Sequence, residues 1–135
     1  MPLWEQGTRA LARRMPKVIS PTTHAAADYA IAGIFFLGAA WLWKRNRRAA
    51  VGSLLCGGAK VANALLTDYP GGAVAAISYR THGSLDASIA GITASTPMLM
   101  GFSDQPEARL FSIQALTETV VSGMTDYGYY EGDGE

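Results

Sequence analysis

A single cysteine, Cys56, little charge and no net charge mark this chain. One cysteine excludes an intrachain disulfide framework and argues against a cysteine-based metal cluster. Charged residues make up 16% of the sequence, against about 25% in an average soluble domain. With 11 basic and 11 acidic residues, no global field exists to draw nucleic acid or an acidic substrate. No nucleophile elbow, dinucleotide fingerprint or phosphate-binding glycine loop is present. The superficially glycine-rich "LLCGGAK" at 54–60 lies inside an apolar run and lacks the strand-then-helix context. These absences point away from an enzyme.

What remains is apolar, at 49% of 135 residues, and unevenly arranged. Residues 25–43, 49–67, 83–102 and 110–125 hold one charge each: Asp28, Lys60, Asp86 and Glu118. A helix of about 20 residues spans a hydrocarbon core of about 30 Å. A soluble bundle helix carries a charged, water-facing stripe, and none of the four segments has one. The expected fold is all-α, an integral membrane four-helix bundle that crosses a bacterial inner membrane several times, with the lipid bilayer as its first partner. Residues 1–17 lack the apolar run and cleavage site of a signal peptide. There Leu3, Trp4, Leu11 and Met15 alternate with Arg9, Arg13, Arg14 and Lys17, which predicts a short amphipathic helix on the membrane surface. Residues 129–135 read as a flexible acidic tail.

The stretch "ISPTTHAAADYAIAGI" (19–34) returns as "ISYRTHGSLDASIAGI" (77–92), identical at nine of sixteen positions. The offset of 58 residues carries His24 to His82 and Asp28 to Asp86, and it persists to Thr67-Asp68-Tyr69 and Thr125-Asp126-Tyr127. Such self-similarity predicts two tandem helical-hairpin repeats, 18–75 and 76–128. Both copies then cross in the same sense, as parallel repeats. All four motifs fall at one face, opposite Trp41, Trp43 and "KRNRR" (44–48).

The T-H-x-x-x-D opening, the T-D-Y closing and the helix ending in "STPMLMGF" (95–102) resemble the SPW-repeat family of small bacterial membrane proteins. The resemblance covers residues 18–128 and implies a pair of transmembrane helices per repeat, with no activity to carry over. Where that family has Ser-Pro-Trp, this chain has Ala39-Ala40-Trp41 and Thr96-Pro97-Met98.

Ionisable residues in apolar segments mark candidate sites. His24 and His82 follow Thr23 and Thr81, expected helix N-caps, and a His and Asp at i and i+4 share one helix face. With Asp68 and Asp126 at similar depth, His24, Asp28, His82 and Asp86 form an expected helix-end polar cluster that pins the hairpins. Alternatively, His24 and His82 hold a haem iron, or a metal together with Asp28 and Asp86, although no Cys-x-x-Cys-His attachment motif is present. Lys60 and Glu118 are repeat equivalents of opposite charge, flanked at helical spacing by Asn63 and Gln114. They are expected to form a buried ion pair. The leading functional expectation is a non-enzymatic structural or accessory subunit, docked on other membrane subunits or on a second copy, without a cofactor. The alternatives are a haem- or metal-binding electron-transfer unit and a proton or small-solute pathway centred on Lys60 and Glu118.

Overall fold

A computed structural model describes residues 2–130; the side chains at 4, 5, 8, 9, 11 and 12 and all of 131–135 lie outside that description. The acidic end of the tail therefore falls outside the described residues. Among the described residues the regular elements are all helices: α1 Leu3–Arg14, α2 Pro21–Leu42, α3 Arg47–Leu65, α4 Tyr79–Leu99 and α5 Ala108–Gly123. The basic residues Arg13 and Arg14 close α1, which lies beside α5. The other four helices form a ring in which α2 and α3, α3 and α4, α4 and α5, and α5 and α2 are neighbours.

Both hairpins open in the same way. Ser20 and Ser78, not Thr23 and Thr81, are the N-caps, each with extended backbone and a side chain that accepts from the amide three residues on. A serine oxygen aimed at the third helical amide satisfies a donor that the helix leaves orphaned. The expectation at Thr23 and Thr81 was therefore one turn late, and the histidines sit in the second turn. Two isolated bridges, Ile19 with Thr125 and Thr67 with Ile77, tie the end of each hairpin to the start of the other.

The interior has two levels. At the far end Phe35, Phe102 and Phe111 pack with Ile31, Leu42, Ala49 and Ala50, the ring centroids of Phe102 and Phe111 lying 5.2 Å apart. Cys56 belongs to this cluster as a small buried residue. At the capped end the interior is polar and aromatic. Among the described residues only α2 is both long and apolar enough to cross a membrane by length and composition. The polar residues of α3 and α4 lower their mean hydropathy, and α5 at 16 residues is also short, so the four equal spans expected from the sequence do not stand out.

Candidate metal centre

Four ligand-bearing side chains meet where the hairpins join. His24 and Asp28 come from one face of α2, His82 and Asp86 from the matching face of α4. All four are at most 2% exposed. The two histidine Nε2 atoms lie 3.2 Å apart. Asp86 Oδ2 is 3.0 Å from His24 Nε2 and 3.2 Å from His82 Nε2. Asp28 Oδ2 is 3.4 Å and 3.2 Å from the same two nitrogens. One donor atom from each residue thus falls within 4.8 Å of the other three.

The far side of each imidazole is held by the opposite hairpin. His24 Nδ1 is 2.8 Å from Thr125 Oγ1, and His82 Nδ1 is 2.8 Å from Thr67 Oγ1. Each threonine hydroxyl already donates to a backbone carbonyl one turn back, Thr125 to Val121 at 2.6 Å and Thr67 to Asn63 at 2.5 Å. A hydroxyl has one proton. With that proton committed, the threonine oxygen accepts, and each Nδ1 must supply the N–H. Nε2 is then the nitrogen left facing the two carboxylate oxygens, where it holds either a second proton or a metal ion.

The carboxylates are oriented as firmly. Lys60 donates to Asp28 Oδ1 at 2.7 Å and to Asp86 Oδ1 at 3.0 Å. Asn63 Nδ2 donates to Asp86 Oδ1 at 3.1 Å and to the carbonyl of His82 at 3.3 Å. Tyr69 donates to Asp28 Oδ2 at 2.9 Å, and Tyr127 to Asp86 Oδ2 at 3.3 Å. Burial, with an aspartate charge alongside, raises the pKa of both tyrosine hydroxyls, so they stay protonated donors. Each aspartate therefore turns Oδ1 to the ammonium and Oδ2 to the histidines. With both imidazoles neutral, the two carboxylates outnumber the Lys60 ammonium by one charge.

Aromatic rings close this end. The rings of Tyr69, Tyr79 and Tyr127 lie 5.0–6.4 Å from the two imidazoles. A Cβ added at Gly83 would come within 2.7 Å of the Tyr127 ring, so the ring fills the space that the glycine leaves. Gly83→Ala is expected to push Tyr127 off Asp86, seen as a shift in tyrosine fluorescence and a melting temperature lower by a few degrees.

The expected site residues are redistributed. His24, Asp28, His82, Asp86, Lys60 and Asn63 come together. Among the described residues no direct Lys60–Glu118 ion pair forms; the ammonium is taken by the aspartates, which reach it from α2 and α4. Glu118 is buried instead beside Thr93, whose hydroxyl lies 3.4 Å from both carboxylate oxygens. Gln114 donates to the carbonyl of Ile31 at 2.9 Å. Asp68 and Asp126 are exposed and outside the cluster. Asp126 accepts from the amide of Gly128 at 2.9 Å. In the Thr-Asp-Tyr motifs it is the threonine and tyrosine that build the site, since the chain has left its helix there and the aspartate turns to solvent. Their identical 58-residue recurrence was the available signal.

The geometry leaves no slot for haem. Two axial histidines must face each other across a flat macrocycle. Here two carboxylate oxygens occupy the space beside the same nitrogens, at 3.0–3.4 Å. A single ion is what two imidazole lone pairs and two carboxylate oxygens can surround. Comparisons with protein-family models, with curated proteins and with solved structures find no match to this chain.

Proposed function

We propose that this is a non-enzymatic integral membrane protein whose two hairpins grip a divalent metal cation at His24, Asp28, His82 and Asp86. The observation that carries the reading is the convergence of two imidazole Nε2 atoms and two carboxylate oxygens in a space closed to water. With neutral imidazoles the two carboxylates outnumber the Lys60 ammonium by one charge, and a bound cation would offset that buried excess. A bound ion would bridge α2 and α4 and so fasten the hairpins, which suits a structural or accessory subunit better than a catalyst. A metal enclosed by four protein ligands has no open position for a reacting water.

The membrane setting is supported by an exterior that is apolar where the interior is polar. Leu37, Leu55, Met98, Leu99 and Leu116 are each 64–74% exposed, while Lys60, Glu118, Gln114 and Thr93 are at most 3% exposed. That inversion suits lipid. Arg45 over Trp41 at 4.4 Å and Arg47 over Trp43 at 4.1 Å suit an interfacial belt at the opposite end. The duplicated hairpin and the resemblance to SPW-repeat proteins belong to the same proposal. A proton or solute pathway has less support, because the Phe35, Phe102 and Phe111 cluster fills the interior beyond Glu118.

Protein extracted from membranes in detergent, without chelator, is expected to carry about one equivalent of a divalent transition metal by elemental analysis. The His24→Ala, His82→Ala double variant is expected to carry none. Chains that remain metal-free after growth with added zinc, and whose melting temperature zinc and cobalt leave unmoved, sink the metal reading. For the membrane setting, the chain is expected to stay in the pellet after an alkaline carbonate wash; release into the supernatant overturns that part.

A further inference from the structure

Resting on that reading, we infer that the site is built for a tetrahedral ion of the zinc class, and that Thr67 and Thr125 are its positioning residues. An ion bonded at about 2.0 Å to four tetrahedral donors holds those donors about 3.3 Å apart. Five of the six donor pairs here are separated by 3.0, 3.2, 3.2, 3.2 and 3.4 Å. A square-planar ion needs two opposite pairs at about 4 Å, and with five short pairs at most one remains. An octahedral ion such as magnesium, at about 2.1 Å, brings neighbouring donors to about 2.9–3.0 Å and demands two further ligands. The surrounding space is filled by the tyrosine rings and Lys60. Calcium wants six to eight oxygens, and only two face the centre. Mixed imidazole and carboxylate donors in a closed tetrahedron suit zinc, with cobalt(II) as its spectroscopic substitute.

The ammonium of Lys60 fits the same assignment. It takes the two outward oxygens of carboxylates whose inward oxygens face the histidines, at 2.7 and 3.0 Å. The place of a second metal is thereby filled by the chain itself, so the site is mononuclear.

Thr67 and Thr125 do not touch the centre. They act through the histidines, fixing which nitrogen carries the proton and how each ring is turned, and each acts on the hairpin that is not its own. A partner on the second ring nitrogen of a metal-bound histidine commonly accounts for about 10–100-fold in metal affinity. Valine matches threonine in shape but offers no oxygen.

Cobalt(II) titration of the full-length chain in detergent tests the assignment. Wild type is expected to bind one equivalent with the intense visible absorption of a tetrahedral complex. Zinc should displace it stoichiometrically, while calcium and magnesium in large excess should not. Thr67→Val and Thr125→Val are each expected to weaken cobalt binding about 10–100-fold, with Thr67→Ser and Thr125→Ser restoring it. Weak octahedral absorption in wild type overturns the tetrahedral assignment, and unchanged affinity in the valine variants overturns the threonine role. In either case the metal reading survives. Wild type that binds neither ion overturns both. If a valine variant fails to fold, the wild-type spectrum and the serine variant still decide.

Discussion

Asp86→Ala is expected to destabilise the protein by about 3–5 kcal/mol, the cost of removing one member of a buried charge cluster. Its carboxylate accepts from Lys60, Asn63 and Tyr127, one partner more than Asp28 has in Lys60 and Tyr69. Without it, Lys60 keeps a single counter-charge, the amide of Asn63 keeps only the His82 carbonyl at 3.3 Å, and the hydroxyl of Tyr127 only Ser122 Oγ at 2.9 Å. Unfolding in detergent, followed by far-ultraviolet circular dichroism, reads the effect. Adding Lys60→Met to the alanine variant should recover part of the loss, because the ammonium would no longer be under-compensated. A loss below about 1 kcal/mol for Asp86→Ala alone, the range of an exposed ion pair, would mean that the cluster is not the dry network described.

Gly72→Ala is expected to cost about 3 kcal/mol, the upper end of what overpacking normally costs. A Cβ at this position would lie 1.8 Å from the carbonyl oxygen of Thr67. The obstacle is backbone, so no rotamer change relieves it, and the turn that closes Gly72 onto the Tyr69 carbonyl at 3.0 Å must open. Opening that turn draws Thr67 away from His82 and Tyr69 away from Asp28. The variant should therefore lose metal affinity together with stability, as read by cobalt titration and thermal unfolding. An alanine variant that melts within about 1 °C of wild type would place the chain at 67–72 differently. Gly71→Ala is the milder control, because its Cβ would meet a methyl group and the Tyr69 ring.

The helices were legible because their signals are local. Four apolar runs bounded by charge and glycine place α2 to α5 within a few residues of their true ends. The N-caps were misplaced because serine and threonine are both good caps, and only the backbone turn at Ser20 and Ser78 decides between them. The His-x-x-x-Asp pairing was legible too, since i and i+4 share a helix face. Which partner Lys60 chooses was not. Sequence symmetry puts Lys60 opposite Glu118, yet the separation between helices that decides the contact depends on packing, and Asp28 and Asp86 lie nearer. The threonines were missed for a similar reason. A hydroxyl signals nothing until its own proton is accounted for, and that proton's destination is a carbonyl four residues back in the folded helix.

The exchange of charge between Lys60 and Glu118 gives the two hairpins unequal independence. Asp28, Lys60 and Tyr69 all belong to the first hairpin, which therefore brings its own counter-ion and hydrogen-bond donor for its buried carboxylate. The second hairpin brings Asp86 and Glu118 and, among the described residues, no buried lysine or arginine of its own. As the chain emerges from the ribosome, the half made first is already neutral inside and can wait. The half made second finds a counter-charge for its aspartate only by docking against the lysine of the first, and that aspartate becomes the latch that reports arrival. A duplicated chain with the charges reversed would have to hold an uncompensated carboxylate through the whole of that interval.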